Sequence, residues 1–189
     1  MELNFYPLAV DEVVVETPDT VSIFFKIQEE FKELFKYREG QYLTLKFKFG
    51  DREERRAYSM SSSPYEERCA VTVKKVEGGI VSSYIHDHVK SGTVIETMPP
   101  QGKFFAPANE ENRKTYYLFG AGSGITPLFS IIKTILEREP QSSLFLLYGS
   151  RNEEYIIFKK ELDRLQEKYR GQFSVSYVLS QPERNKPKG

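Results

Sequence analysis

Residues Tyr116 to Pro127 read YYLFGAGSGITP, an apolar stretch that leads through three glycines into an amphipathic segment. This order is typical of a strand, a tight turn and a helix, because glycine lets the backbone turn sharply. Glycine also lets the backbone of such a turn approach a phosphate closely. The free N–H groups at a helix start attract the anion. The spacing differs from Gly-x-Gly-x-x-Gly, since Ile125 stands in place of the third glycine. A tight turn that needs its glycines only for packing is the alternative.

We interpret this turn as a pyrophosphate-binding loop. Thr126 is predicted to cap the helix N-terminus and Pro127 to be the first helical residue, because both residue types are favoured at those positions. The residues expected to hold a nucleotide are Gly120, Gly122, Gly124, Thr126 and Pro127.

The segments after the turn alternate between helical and strand patterns. Apolar residues recur at helical spacing over 127–139 and about 153–170, and strands are predicted over 116–119, 144–148 and 173–179. Such alternation is typical of a parallel sheet with crossover helices. Residues 115–189 are therefore predicted to form an α/β parallel-sheet nucleotide-binding domain.

Residues 1–106 have a different pattern, with short strands separated by turn residues. Within 42–49 apolar and polar residues alternate, a period of two that favours an antiparallel sheet with one buried face. Strands are predicted over 8–16, 21–27, 42–49, 55–59, 70–76 and 94–98. This half is predicted to be an all-β antiparallel barrel or sandwich, joined to the second domain by a polar linker over 106–114.

Two segments of the barrel half carry residues that suit a flavin nucleotide. In the first, Arg56 could pair with a diphosphate, Tyr58 could stack on a planar ring, and Ser59 could donate to a ring nitrogen or carbonyl. Taken alone, this string is more simply an ordinary strand end.

The second segment is Gly78-Gly79-Ile80-Val81-Ser82, which precedes a short helical pattern predicted over 83–89. The N-terminus of that helix could hold a phosphate through backbone N–H groups and the Ser82 hydroxyl. In isolation, a hairpin turn that runs into a surface helix is the simpler interpretation.

Composition narrows the classes of function. The 189 residues contain 27 Lys plus Arg and 27 Asp plus Glu, so no net field attracts nucleic acid or an anionic membrane. The single cysteine, Cys69, excludes an iron–sulfur cluster held within these residues. His86 and His88 are two apart and point in different directions on a helix, so no metal site is expected. With neither a signal sequence nor a long apolar run, the expected location is cytoplasmic.

The three segments together resemble the ferredoxin–NADP reductase superfamily, in which Arg-x-Tyr-Ser, Gly-Gly-x-x-Ser and a glycine loop ending in Thr-Pro occur in this order. Gly40-Gln41-Tyr42 and the turn over 98–102 are similar to further family motifs. The resemblance is strongest to oxygenase reductase components, including the phenylacetyl-CoA epoxidase reductase type. The resemblance implies a Greek-key FAD-binding barrel and only the first half of an NAD(P)-binding domain. A second domain shortened in this way would leave the flank of strand 116–119 exposed, and an exposed strand flank favours self-association.

The resemblance also implies the roles of the site residues. Tyr58 would stack on the isoalloxazine, Ser59 would bond near N5, and Thr126 would help to place the nicotinamide, so these three are the candidate catalytic residues. The FAD diphosphate would bind to Arg56, Gly79, Ile80, Val81 and Ser82. Hydride chemistry belongs to the cofactor, and the protein supplies orientation and polarity.

The choice between NADPH and NADH stays open. Ser150 and Arg151 follow the second parallel strand, and an arginine there could meet a 2′-phosphate. The third strand ends in Ser180-Gln181, where relatives that use NADP often have Ser-Arg, and this favours NADH.

The predicted function is an NAD(P)H-dependent flavoprotein reductase that passes electrons to a downstream acceptor, such as a ferredoxin-like domain or an oxygenase. One alternative is a flavin-binding relay protein that does not itself use NAD(P)H. A second alternative is an interaction module without a cofactor.

Overall fold

The computed structural model describes residues 4–182, which form two sheets and three α-helices. The predicted domain bounds, 1–106 and 115–189, and the polar tail beyond 182 extend partly outside the described residues. The strands of the first sheet are β1 (Tyr6–Thr17), β2 (Thr20–Lys26), β3 (Tyr42–Phe49), β4 (Arg52–Ser59), β5 (Cys69–Lys74) and β6 (Val94–Thr97), and helix α1 (Ile80–His88) follows β5.

The first sheet is antiparallel and closes into a barrel. Its strand order is β4-β3-β6-β1-β2-β5, and a bridge between Met60 and Val71 brings the end of β4 against β5. Alternate residues of the strands point inward, so that Leu43 and Leu45 of β3 are fully buried. The predicted all-β antiparallel barrel is confirmed.

The second sheet consists of three parallel strands in the order β7-β8-β9. Both connecting helices pack on one face of this sheet, where Ile125 and Leu162 of the helices are buried in a core shared with Leu144 and Tyr148 of the middle strand. The predicted parallel α/β arrangement is confirmed. The elements are β7 (Thr115–Ala121), α2 (Ile125–Arg138), β8 (Ser143–Ser150), α3 (Lys159–Lys168) and β9 (Phe173–Leu179).

The opposite face of the parallel sheet carries exposed apolar side chains. Tyr117 is 67% and Phe119 is 72% exposed, and Phe145, Leu147 and Val178 are also exposed. The rings of Tyr117 and Phe145 stack with centroids 5.5 Å apart. None of the described helices covers this face.

Both helices of the second domain begin at residues other than the predicted ones. Helix α2 begins at Ile125, with Gly124 at the N-cap, so Thr126 lies in the first turn and is not the cap. A 3-10 turn over Gly122–Gly124 precedes the helix and accounts for the earlier start. Helix α3 begins at Lys159 and not near residue 153, because Phe158 has a φ of 60° and its buried ring stacks on Phe129 at 4.2 Å.

Elements of the barrel half also differ from their predicted bounds. Helix α1 begins at Ile80, three residues before the predicted start at Ser83, because the Gly78-Gly79 turn leads directly into it. Strand β5 ends at Lys74, so residues 75 and 76 belong to the connection and not to the strand. Among residues 4–182, no helix combines the length and the apolar character needed to cross a membrane.

Candidate nucleotide-binding site

The glycine turn joins β7 to α2 and opens toward solvent. Gly122 has a φ of 51°, a left-handed conformation that disfavours a side chain. No described atom lies within 4 Å of a Cβ built on Gly122 or Gly124. Gly120 is different, because a Cβ there would come within 3.0 Å of Leu128. The turn therefore combines one close contact to its own helix with open space in front of two glycines.

Two hydroxyl groups fix the shape of this turn. The buried Tyr148 hydroxyl donates a hydrogen bond of 3.0 Å to the carbonyl oxygen of Gly122 and accepts one of 3.3 Å from the Ile157 N–H. Thr126 is buried, and its hydroxyl donates to the Ser123 carbonyl oxygen at 2.9 Å. The sequence motif indicates a nucleotide role for Thr126 but not for Tyr148, because the apolar residues around Tyr148 give no sign that its hydroxyl reaches the turn.

The Arg-x-Tyr-Ser segment forms the end of β4, where it pairs with β3. Tyr58 is half-buried against the barrel core, and burial raises the pKa of its phenol to about 12 despite the nearby Arg56, so the ring stays neutral at physiological pH. Arg56 is half-exposed and forms an ion pair with the buried Glu54 at 2.8 Å. Ser59 is half-buried beside Tyr58.

The Gly-Gly-x-x-Ser segment forms the connection from β5 to α1. A Cβ on Gly79 would come within 2.6 Å of the Ser82 hydroxyl oxygen, so close packing requires glycine there. Ser82 is buried, and its hydroxyl accepts a hydrogen bond of 3.1 Å from the Val76 N–H. The Ser82 hydroxyl therefore stabilises the turn. Of the two residues before it, Val81 is buried and Ile80 is 46% exposed.

Strand β5 brings the three segments together. The end of β4 meets β5 at the Met60–Val71 bridge, and the antiparallel direction turns Arg56 toward the end of β5 that leads to Gly79. Helix α1 and the glycine turn over Gly122–Gly124 both contact β5. The structure thus collects on one strand the segments that are far apart in sequence.

The helix starts in this region suit anionic ligands. Neither α1 nor α2 has a side-chain hydrogen bond to its N-terminal N–H groups in the described part of the chain. The first N–H groups of a helix have no partner within the helix, and the helix dipole favours an anion near them. Two helix starts without side-chain caps, both near the strand that the Tyr58 segment also meets, fit a dinucleotide that has a flat ring and phosphates. Residues 4–182 contain no cluster of three His, Cys, Asp or Glu side chains arranged for a metal ion.

Ser150 and Arg151 lie where β8 ends. The Ser150 carbonyl oxygen accepts a hydrogen bond of 3.0 Å from the Ser180 N–H. The Arg151 guanidinium lies 4.2 Å from the centroid of the Tyr155 ring and forms an ion pair of 3.3 Å with Asp19 of the barrel. No pattern in the sequence indicates that a barrel residue reaches this end of the parallel sheet.

A polar junction joins the barrel to α2 directly after the Arg-x-Tyr-Ser segment. The Ser130 hydroxyl donates to the Ser62 carbonyl oxygen at 2.6 Å, and the hydroxyls of Ser63 and Thr134 are 3.1 Å apart. The Tyr37 hydroxyl contacts the Ser62 hydroxyl at 2.6 Å. Ser130 and Thr134 are four residues apart on α2 and so lie on the same side of the helix. They form a polar stripe next to the apolar face, and this spacing is visible in the sequence.

Comparison with known proteins agrees with this geometry. A family model described as an oxidoreductase FAD-binding domain matches residues 7–105, and one described as an oxidoreductase NAD-binding domain matches residues 118–189. The chain is 38% identical to a component of the 1,2-phenylacetyl-CoA epoxidase of Escherichia coli over 94% of its length and 50% of that protein's. It is 39% identical to the ferredoxin reductase component of 3-ketosteroid-9-alpha-monooxygenase of Rhodococcus rhodochrous, over 91% of its length and 48% of that protein's. The chain spans about half the length of these relatives.

Solved structures show the same fold. Ferredoxin-NADP+ reductase from Plasmodium falciparum, solved with 2'P-AMP, superposes with a TM-score of 0.80 at 23% identity, over 94% of this chain and 74% of that one. A cytochrome P450 reductase from Amycolatopsis gives a TM-score of 0.82 at 25% identity, over 98% of this chain and 55% of that one. The chain therefore belongs to the family of oxidoreductases with this FAD-binding domain, which is followed here by a match to the NAD-binding domain, and it has the fold of ferredoxin-NADP+ reductase.

Proposed function

We propose that this protein is a flavin-dependent reductase that takes electrons from a reduced nicotinamide dinucleotide and passes them to a downstream acceptor. The observation that carries the proposal is the meeting of three elements at β5: the Tyr58 segment, the uncapped start of α1 and the glycine turn before α2. Bound FAD supplies the chemistry, since it accepts a hydride from the nicotinamide and gives up electrons to the acceptor.

The barrel residues hold the FAD in this proposal. Tyr58 offers the face of a neutral aromatic ring to the isoalloxazine, and Ser59, which lies next to it, donates a hydrogen bond near N5. Arg56 is half-exposed and pairs with the diphosphate. The backbone N–H groups of Ile80, Val81 and Ser82 at the start of α1 bind the same diphosphate, and Gly79, whose own N–H donates to the Val76 carbonyl oxygen, lets the phosphate approach them.

The second domain holds the nicotinamide dinucleotide. Its phosphates approach the backbone in the open space at Gly122 and Gly124, next to the positive end of the α2 dipole. Gly120, Thr126 and Pro127 shape the turn, and Ser150 and Arg151 lie at the end of β8, on the side where ribose binds in sheets of this type. No side chain acts as a nucleophile. The contribution of the protein is to position two cofactors.

The acceptor is proposed to be a protein or domain that works with an oxygenase, either a ferredoxin-like domain or the oxygenase itself. The relatives include a component of an epoxidase and a reductase component of a monooxygenase, which supports this class of partner. A cytoplasmic location, as predicted from the sequence, is part of the proposal.

Anaerobic stopped-flow reduction tests the proposal. The full chain is loaded with FAD and mixed with NADH or NADPH, and the flavin absorbance is followed. Bleaching of the oxidised flavin by at least one of the two coenzymes is the expected result. A flavin that binds but stays oxidised with both coenzymes would contradict the reductase and favour a relay protein, whereas a protein that binds neither flavin nor nucleotide would support an interaction module.

A further inference from the structure

Strand β4 carries a buried carboxylate between two arginines. Arg52, Glu54 and Arg56 are spaced two residues apart, so their side chains lie on the same face of the sheet. Glu54 is 7% exposed and pairs across the sheet with Phe47 of the barrel core. The side chains of Arg52 and Arg56 are 66% and 50% exposed. Because a buried charge is costly unless it is paired, the two arginines stabilise a carboxylate at a position that suits an apolar residue.

Each oxygen of the Glu54 carboxylate holds one arginine. Oε1 forms an ion pair with Nε of Arg52, and Oε2 forms one of 2.8 Å with Nη2 of Arg56. On its other side, Nη1 of Arg56 donates a hydrogen bond of 2.8 Å to the Arg55 carbonyl oxygen. Both terminal nitrogens of the Arg56 guanidinium therefore have a partner on β4, and these two contacts fix its orientation.

The fixed guanidinium keeps N–H donors for a ligand. An arginine side chain has five N–H donors in a planar fork, and the Glu54 carboxylate and the Arg55 carbonyl oxygen take one each. The other three remain on a side chain that is half-exposed. Arg56 is two residues from Tyr58 and on the same face of β4. These donors therefore lie next to the ring assigned to the isoalloxazine, and they suit a diphosphate, whose oxygens accept hydrogen bonds from the arginine fork.

We propose that Glu54 is a positioning residue, which holds Arg56 in the orientation that receives the FAD diphosphate. The inference rests on the proposed function and concerns the same site. A free arginine side chain has many rotamers, and a ligand that binds it must bear the entropy cost of ordering it. Glu54 orders Arg56 when the protein folds, so this cost does not weaken FAD binding.

The charge of Glu54 by itself has the opposite effect. A carboxylate repels a diphosphate, so a change that did no more than remove this charge would strengthen FAD binding. Two arginines surround the one carboxylate, and the group as a whole is therefore positive and still attracts an anion. The sign of the change in FAD affinity on loss of Glu54 consequently separates positioning from simple charge.

The test measures the dissociation constants of FAD and riboflavin by flavin fluorescence, with the full chain and its Glu54→Leu variant. Riboflavin lacks the diphosphate and reports on the ring site alone. Leucine is similar in size to glutamate, and a buried ion-paired residue is often replaced by an apolar one of similar volume without loss of stability. Glu53→Leu is the matched control, because Glu53 is the preceding residue, lies on the opposite face of β4 and pairs with Arg55.

Glu54→Leu should weaken FAD binding about fivefold and leave riboflavin binding unchanged, since only the diphosphate contact loses its ordered arginine. Glu53→Leu should change neither value. If Glu54 acts through Arg56, its effect should disappear when Arg56 is absent, so that Arg56→Gln and the double variant Glu54→Leu/Arg56→Gln bind FAD equally. A purely structural role of Glu54 would weaken both ligands and would persist without Arg56.

Any of four results would overturn the inference: FAD binding to Glu54→Leu that is unchanged or tighter, an equal loss of riboflavin affinity, an equal loss of FAD affinity in Glu53→Leu, or a loss that persists in the Arg56→Gln background. If Glu54→Leu does not fold, Glu54→Gln decides, because it keeps the size of the side chain and removes the charge. Weaker FAD binding with unchanged riboflavin binding supports the inference, and unchanged or tighter FAD binding contradicts it. If the unsubstituted protein binds no FAD, the proposed function itself fails; if it binds FAD and only the variants behave otherwise, the inference alone fails.

Discussion

The hydroxyl of Tyr148 donates a 3.0 Å hydrogen bond to the carbonyl oxygen of Gly122. This hydrogen bond connects the end of β8 to the glycine turn. The turn is therefore held in place by a fully buried aromatic residue of the neighbouring strand. The same hydroxyl accepts the Ile157 N–H from the chain before α3. One side chain thus sets the relative positions of the phosphate turn and the segment that follows β8.

Replacing Tyr148 by Phe should lower the free energy of unfolding by about 1–2 kcal/mol, because the Gly122 carbonyl and the buried Ile157 N–H both lose their partner. It should also weaken ADP binding, since the turn is less fixed. Urea unfolding and calorimetry measure the two effects. Tyr117→Phe is the matched control, because Tyr117 is 67% exposed on the uncovered sheet face. Equal stability of the two variants would contradict the role assigned to Tyr148.

The two open glycines of the turn should respond differently to alanine. Gly122 has a φ of 51°, so Gly122→Ala should cost about 1 kcal/mol of stability in addition to weakening nucleotide binding. Gly124 has a φ of −62°, which alanine adopts without strain. Gly124→Ala should therefore leave the unfolding midpoint unchanged and weaken ADP binding alone, through a Cβ in the space assigned to a phosphate. If Gly124→Ala binds ADP normally, the phosphate does not occupy that space.

Tyr58 should act through its ring and not through its hydroxyl. Tyr58→Phe is expected to keep FAD affinity within about twofold, whereas Tyr58→Ala should weaken it by about tenfold because the stacking surface is lost. Flavin fluorescence titration measures both values. A Tyr58→Phe variant as weak as Tyr58→Ala would show that the hydroxyl carries the interaction and that stacking does not.

Glu139 should make the stability of the protein depend on pH in the acid range. Burial raises the pKa of this carboxyl, but hydrogen bonds from Ser142, Asn112, the Asn109 N–H and Tyr116 outweigh burial and leave the pKa below its ordinary value of 4.5. A lowered folded pKa contributes stability that is present above the unfolded value and is lost as pH falls through the folded pKa.

Glu139→Gln should therefore be less stable than the unsubstituted protein at pH 7, by about 2 kcal/mol, and the difference should shrink as pH falls below 4.5. Denaturant unfolding between pH 7 and pH 3 measures this. The neighbouring Glu137→Gln is the control, because Glu137 is exposed on the same helix. A difference that stays constant across this range would mean that the carboxylate charge is not involved.

Local patterns predicted much of the fold. Strands β3 and β9 have the bounds that alternation and apolar spacing indicated, because a strand with one buried face has a period of two that the sequence displays directly. The start of α2 was misplaced by two residues, since Thr-Pro is a good helix start but the preceding glycines already wind into a 3-10 turn. The left-handed Phe158 was missed because its conformation follows from stacking on Phe129.

The sequence indicated the site residues that belong to short motifs, but not the contacts between residues that are far apart in the chain. Arg56, Tyr58, Ser59 and the glycine turn belong to short strings that can be identified in sequence, although their contacts with cofactors stay predictions. Asp19 lies 132 positions from Arg151 in the chain, and no local pattern connects them. The Ser130 bond to the Ser62 carbonyl likewise spans 68 positions. Contacts of this kind depend on how the two domains pack, which periodicity does not encode.

The most direct test of the central claim is a comparison of FAD with riboflavin by fluorescence titration into the full chain. If Tyr58 stacks on the flavin while Arg56 and the start of α1 hold the diphosphate, FAD should bind at one site per chain with quenched fluorescence, and at least about tenfold more tightly than riboflavin. FAD that fails to bind, or that binds no more tightly than riboflavin, would contradict the claim.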